Sequence, residues 1–183
     1  MIRQNLFFIF TFFWLYSGIG QHQKLDSLVT WIDQVVKKIE ITQNWDTVQE
    51  FQIENFTTKT AKLNVYYEKN ELKKIRLNGV NPRFEIEKIY YLKNDTLVYQ
   101  EERHIETIPL PKEGKDKNYA QEYTVFQTKN YLWKNRLIKQ WDNAPGSVGL
   151  SETYLKASGE SLLDEFRVLR RLVERKNISK GPK

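Results

Sequence analysis

Residues 84–97 read Phe-Glu-Ile-Glu-Lys-Ile-Tyr-Tyr-Leu-Lys-Asn-Asp-Thr-Leu, and this stretch decides the fold class. Its first half alternates apolar and charged side chains, the two-residue period of a strand covered on one face and wet on the other. On that pattern Glu85 and Glu87 belong to the solvated face. Its second half runs from an aromatic strand end into Lys93-Asn94. Asparagine tolerates a positive φ, and its side chain can bond the backbone two residues on, so a short hairpin turns here.

Outward from this hairpin the same period holds between about residues 47 and 142. Candidate strands are 48–56, 61–68, 72–77, 84–92, 97–103 and 122–128, with 131–133 and 137–141 as a further pair. No long helical crossover interrupts them, which argues against a βαβ arrangement and for an antiparallel meander of six to eight strands. On its N-terminal side, Leu25, Leu28, Val29, Ile32, Val35, Val36 and Ile39 recur every three or four residues, the mark of an amphipathic helix over 24–42. Past the breaker at 143–147, Ser161 offers an N-cap, and Leu162, Phe166, Leu169, Leu172 and Val173 form the stripe of a second helix ending near Lys176. The fold class read from the chain is therefore α+β, with an N-terminal amphipathic helix and a C-terminal helix packed on the sheet. One or both helices are expected on one sheet face, and a small half-open barrel is the alternative.

Tyr66-Tyr67-Glu68-Lys69-Asn70-Glu71-Leu72 is echoed by residues 90–97 and again by Tyr131-Leu132-Trp133-Lys134-Asn135-Arg136-Leu137. Each copy joins an aromatic strand end to a Lys-Asn turn. The pattern resembles the MORN-like repeats of some bacterial proteins, whose hairpins run from a tyrosine-rich strand through a turn to a Leu-containing strand. It departs from them in having no turn glycine within 69–71, 93–96 or 134–136, and Lys69, Lys93 and Lys134 are unequally spaced by 24 and 41 residues. Convergent hairpin chemistry within a meander accounts for it.

The first twenty residues carry one cation, Arg3, then an apolar run from Leu6 to Tyr16 broken only by Thr11, then Gly18 and Gly20. This is the layout of an export signal cleaved before Gln21, and the run is shorter than the roughly 20 residues that cross a bilayer. An uncleaved anchor is the alternative. Residues 21–176 then make one domain, and the basic tail 177–183 is expected to be disordered. The chain carries 29 basic and 23 acidic side chains, of which the leader holds only Arg3, so the remainder has a formal charge of +5. That excess suits an anionic surface polymer or an acidic envelope protein and falls short of a nucleic-acid reader.

The chain has no cysteine, which excludes disulfides, thiolate metal sites, a cysteine nucleophile and lipid attachment at a leader-proximal Cys. The expected location is the periplasm or the exterior, in an envelope that needs no disulfides, with no membrane span once the leader is removed. No cofactor, metal ligand set or catalytic residue is assigned. Three glycosylation sequons, at Asn55, Asn94 and Asn177, read as chance matches.

Three constellations carry the functional expectations. Neither doublet Tyr66-Tyr67 nor Tyr90-Tyr91 can place both rings on one side of a strand, so an aromatic sheet face including Tyr66, Tyr91, Tyr131 and Trp133 is the leading ligand- or protein-binding candidate. On the second helix, Arg167, Arg170, Arg171 and Arg175 lie opposite the apolar stripe and suit phosphate or carboxylate groups. The third is His104, which shares a strand face with Glu102 and Glu106 and supplies the only arrangement an enzyme would use. The reading is a non-catalytic binding module of the cell envelope, with an enzyme built on His104 or an envelope component docking through the basic C-terminal helix as alternatives.

Overall fold

A computed structural model describes residues 5–54, 60–80, 84–109, 120–144 and 150–179; for 5–22, 107–109, 120–122 and 176–179 it gives the course of the backbone only. Helix α1 (Asn5–Glu40) leads into strands β1 (Thr47–Glu54), β2 (Thr60–Glu68), β3 (Glu71–Val80), β4 (Glu85–Lys93), β5 (Thr96–Pro109), β6 (Ala120–Trp133) and β7 (Arg136–Asp142), and helix α2 (Glu152–Ser179) closes the chain. The strands form one antiparallel sheet in the order β1 to β7, each paired with its sequence neighbours. Residues 122–133, divided by the sequence reading, run as part of a single strand. Among the described residues no helix is long and apolar enough to cross a membrane.

Three of the hairpins are built alike. Their two-residue turns, Lys69-Asn70, Asn94-Asp95 and Lys134-Asn135, have positive φ at both positions, between 49° and 60°. That is the mirror-image turn whose twist matches the flanking strands. Two residues beyond each turn the register slips, after Tyr66, Tyr91 and Tyr131 alike, with Lys73, Val98 and Ile138 as the extra residues. The three tyrosines are therefore equivalent, each three residues ahead of its turn and all on one sheet face.

The helices lie on opposite faces of the sheet, which corrects the expectation of a single covered face. Under α2, the main core gathers Leu63, Val65, Ile75, Leu77, Tyr90, Leu92 and Leu132 against Leu163, Phe166, Leu169 and Val173. Under α1, Ile32 and Ile39 meet Ile89, Tyr91, Tyr99 and Tyr131. The cause is visible in β4: from Ile86 to Leu92 every residue is buried, so both faces must be covered. Glu87, assigned by alternation to the solvated face, is 2% exposed. It is ion-paired to Arg76 and Arg103, whose stems cover it.

Helix α2 begins at Glu152, about ten residues ahead of the expected start. Ser151, not Ser161, is the cap: its Oγ accepts from the Tyr154 amide at 3.2 Å and its carbonyl from Leu155 at 3.0 Å. It also runs three residues past Lys176 to Ser179, so the first part of the expected tail is helical, while 180–183 lie outside the described residues. The stretch 109–118, whose two prolines, glycine and mixed charges predict a loop, gives only Pro109 to β5; residues 110–118, and 145–147 of the breaker at 143–147, lie outside the described residues.

Gly159, a residue of low helix propensity, lies inside the early part of α2. Here it permits a close approach: a Cβ at Gly159 would lie 2.8 Å from the Leu137 Cβ and 3.2 Å from the Leu137 nitrogen. Gly159→Ala is expected to lower the melting temperature, because overpacking against backbone costs about 1–3 kcal/mol and exceeds the helix-propensity gain of about 1 kcal/mol. A rise in Tm by calorimetry would contradict this packing.

Candidate functional site

The cross-strand row Tyr66, Lys74, Tyr91, Tyr99, Tyr131, Lys139 crosses six strands on the α1 face. Neighbouring rings meet edge-on, Tyr91 to Tyr99 at 5.5 Å and Tyr99 to Tyr131 at 5.0 Å between centroids. Helix α1 lies along this row. Trp31 meets Trp133 edge-on at 5.4 Å, and Glu40 and Asp33 lie near the Tyr91 and Tyr131 hydroxyls. At the helix end, Lys74 bonds Glu40 at 3.1 Å and sits 4.6 Å over the Tyr66 ring, which packs on Trp45. The sequence-assigned residues Tyr66, Tyr91, Tyr131 and Trp133 thus come together, and α1 fills the face they form.

The buried hydroxyls make the α1 layer sensitive to base. Burial first, then Glu40, pushes the Tyr91 hydroxyl up; burial and Glu101 do the same for Tyr99. Burial and Asp33 push Tyr131 up to about 12 from the usual 10. Each folded pKa lies above the unfolded one, so this stabilisation is complete below pH 10 and declines as the pH rises above it, since only the unfolded chain ionises freely. Stability measured by denaturant titration is expected to fall between about pH 10 and 12, and Tyr91→Phe with Tyr99→Phe to flatten that fall. An unchanged slope in the double variant would show that these hydroxyls are not the cause.

On the α2 face a polar chain runs through the sheet. Tyr90 donates to Glu165, and Lys88 donates to the same carboxylate at 2.9 and 3.0 Å. Lys88 also meets Glu102 at 3.3 Å, and Glu102 meets His104 Nε2 at 2.8 Å. The His104 ring stacks on Phe84 at 4.8 Å and lies edge-on to Phe126 at 5.3 Å. The His104–Glu102 pair read from the sequence is therefore formed, but its carboxylate continues into the ion pairs that fasten α2. Among the described residues no group of three or more His, Asp or Glu is placed to hold a metal ion.

The arginines of α2 are dispersed. Arg170 donates to the Asp95 carbonyl at 3.0 Å and to Glu174 at 3.1 Å, tying α2 to the β4–β5 turn. Arg167 pairs with Asp164 at 2.5 Å, and Arg171 and Arg175 are exposed.

The feature that sequence reasoning missed lies at the edge of the sheet. Strand β7 is last in the order and has β6 on one side only. Helix α1 overhangs it on one face and α2 on the other. Between them is a cavity of about 880 Å³, with Leu25, Trp133, Ile138 and Leu155 on its apolar wall. Trp133 is the only sequence-assigned binding residue that lines it.

No family model, curated protein or solved structure matches this chain. The groove beside β7 and the covered tyrosine row are accordingly read from their own chemistry.

Proposed function

We propose that this chain is an exported, non-catalytic module that binds a protein partner of the cell envelope through the groove beside β7. The observation that carries the reading is the cavity itself: a volume of about 880 Å³, apolar inside and charged at its rim, open on the free edge of the sheet. Its lining cations Lys134, Arg136 and Lys156 outnumber its carboxylates Glu152 and Glu160, in keeping with the anionic partner expected from the positive charge of the chain. The leader supports export, and the α1 side chains described as packing on the sheet or lining the groove begin at Leu25, so cleavage before Gln21 leaves them in place.

The test is selection of a displayed random-peptide library on the mature chain. Binders are expected to be enriched, and Leu155→Arg, which places a bulky cation in the groove wall, to lose them while remaining folded by circular dichroism, with some loss of stability because Leu155 also packs on the core. Failure to enrich any binder, or binders indifferent to Leu155→Arg, overturns the reading. N-terminal sequencing of the protein recovered from its host tests the address, with Gln21 as the expected first residue.

A further inference from the structure

Accepting the groove as the binding site, we infer that its occupant is an extended acidic segment of a partner polypeptide, which joins β7 as an eighth strand. Three features of the edge carry this. The first is hydrogen bonding. Asn143 donates to the Gln127 carbonyl at 3.1 Å, and residues 143, 141 and 139 pair in register with 127, 129 and 131. In an antiparallel ladder, alternate residues turn their amide and carbonyl toward the same neighbour. Lys139, Trp141 and Asn143 therefore face β6, and the main-chain groups of Gln140 and Asp142 face outward. A strand laid alongside finds donors and acceptors already set at ladder spacing, the basis of recognition by strand addition.

The second feature is the pocket. A strand added to β7 directs alternate side chains to opposite faces of the sheet. Those on the α1 face pass Leu25, Trp133 and Ile138, and those on the α2 face pass Leu155. An apolar side chain at alternate positions is accommodated there, whereas a globular ligand would have to reach past both helices.

The third feature is charge. Lys134, Lys139 and Lys156 have no ion-pair partner among the described residues, while Arg136 faces Glu152 at 3.9 Å and Glu160 also lines the groove, which leaves the cations in excess. These cations border the edge from the turn, the strand and α2. They favour acidic residues in the incoming strand and disfavour a second copy of the same basic edge.

The test uses a short fluorescent peptide alternating Glu with Val and Phe, its Lys-for-Glu counterpart, and a series methylated at successive backbone nitrogens. The acidic peptide is expected to bind the mature chain at least about tenfold more tightly than the basic one. Methylation is expected to weaken binding at every second position only. In the protein, Gln140→Pro removes an outward donor without touching the β6–β7 ladder and is expected to lose binding. Gln140→Ala keeps that donor, loses the same 2.9 Å side-chain bond to Asn130, and is expected to retain binding. Peptide binding that is sensitive to Leu155→Arg but indifferent to the methylation pattern overturns strand addition and leaves the groove as the site. Tighter binding of the basic peptide overturns the charge assignment, and a dimer that forms in sedimentation and is lost in Gln140→Pro identifies a second copy as the occupant instead. Absence of any binding to the groove, by library or peptide, overturns the functional reading itself.

Discussion

Tyr90→Ala is expected to destabilise the protein by about 3–5 kcal/mol, the usual cost of emptying a large buried aromatic site. Tyr90 is fully buried on the α2 face, with the Phe166 ring 5.9 Å away and its hydroxyl on Glu165. Truncation removes the platform on which α2 rests and one partner of the Glu165 carboxylate together. Tyr90→Phe separates the two contributions. It keeps the packing and leaves Glu165 paired with Lys88, so the expected loss is only about 1–2 kcal/mol. Denaturant unfolding of the three proteins decides the matter, provided the denaturant slope is unchanged. Equal losses for the two variants would mean that the hydroxyl, not the packing, holds α2.

Ile32→Ala is expected to cost about 2–5 kcal/mol, but as a local event. Ile32 faces the sheet and is wholly buried, within the smaller core beneath α1. That core relies on tyrosine rings whose hydroxyls lie near exposed carboxylates, whereas the α2 core is larger and mostly aliphatic. A layer with less apolar burial opens before the whole molecule does. Proteolysis within α1 is expected to quicken by about thirtyfold or more, the population change that about 2 kcal/mol produces. The fluorescence of Trp31 and Trp133 is expected to change before the sheet melts. Loss of the sheet and α1 in one transition would refute a separable layer.

The two variants mark where the sequence was legible and where it was not. Hairpins were legible because turn chemistry is local: Lys69-Asn70, Asn94-Asp95 and Lys134-Asn135 need only their own backbone to turn. The helices were legible from spacing, down to Ile32, Ile39, Phe166 and Leu169. Helix α2 starts ahead of the apolar stripe that marks it in the sequence, and the role of Gly159 in that first part depends on Leu137, 22 residues away in the chain. Glu87 was misplaced for a similar reason, since alternation cannot foresee two arginines from neighbouring strands closing over a carboxylate.

The candidate site was only partly legible. Tyr66, Tyr91, Tyr131 and Trp133 do lie together on one face, yet nothing in their spacing says that α1 lies on them. The free edge of β7 depends on which strand is last in the sheet, and its cavity on where two helices distant in sequence overhang it.

The sequence by itself determined the antiparallel meander, its repeated turns and its two amphipathic helices, because each follows from periodicities and turn preferences spanning a few residues. Only the tertiary structure decided that the helices take opposite faces, that the aromatic row is covered and that the edge of β7 stays open. Those outcomes rest on contacts between side chains far apart in the chain, where burial is shared between elements and no single segment encodes the choice.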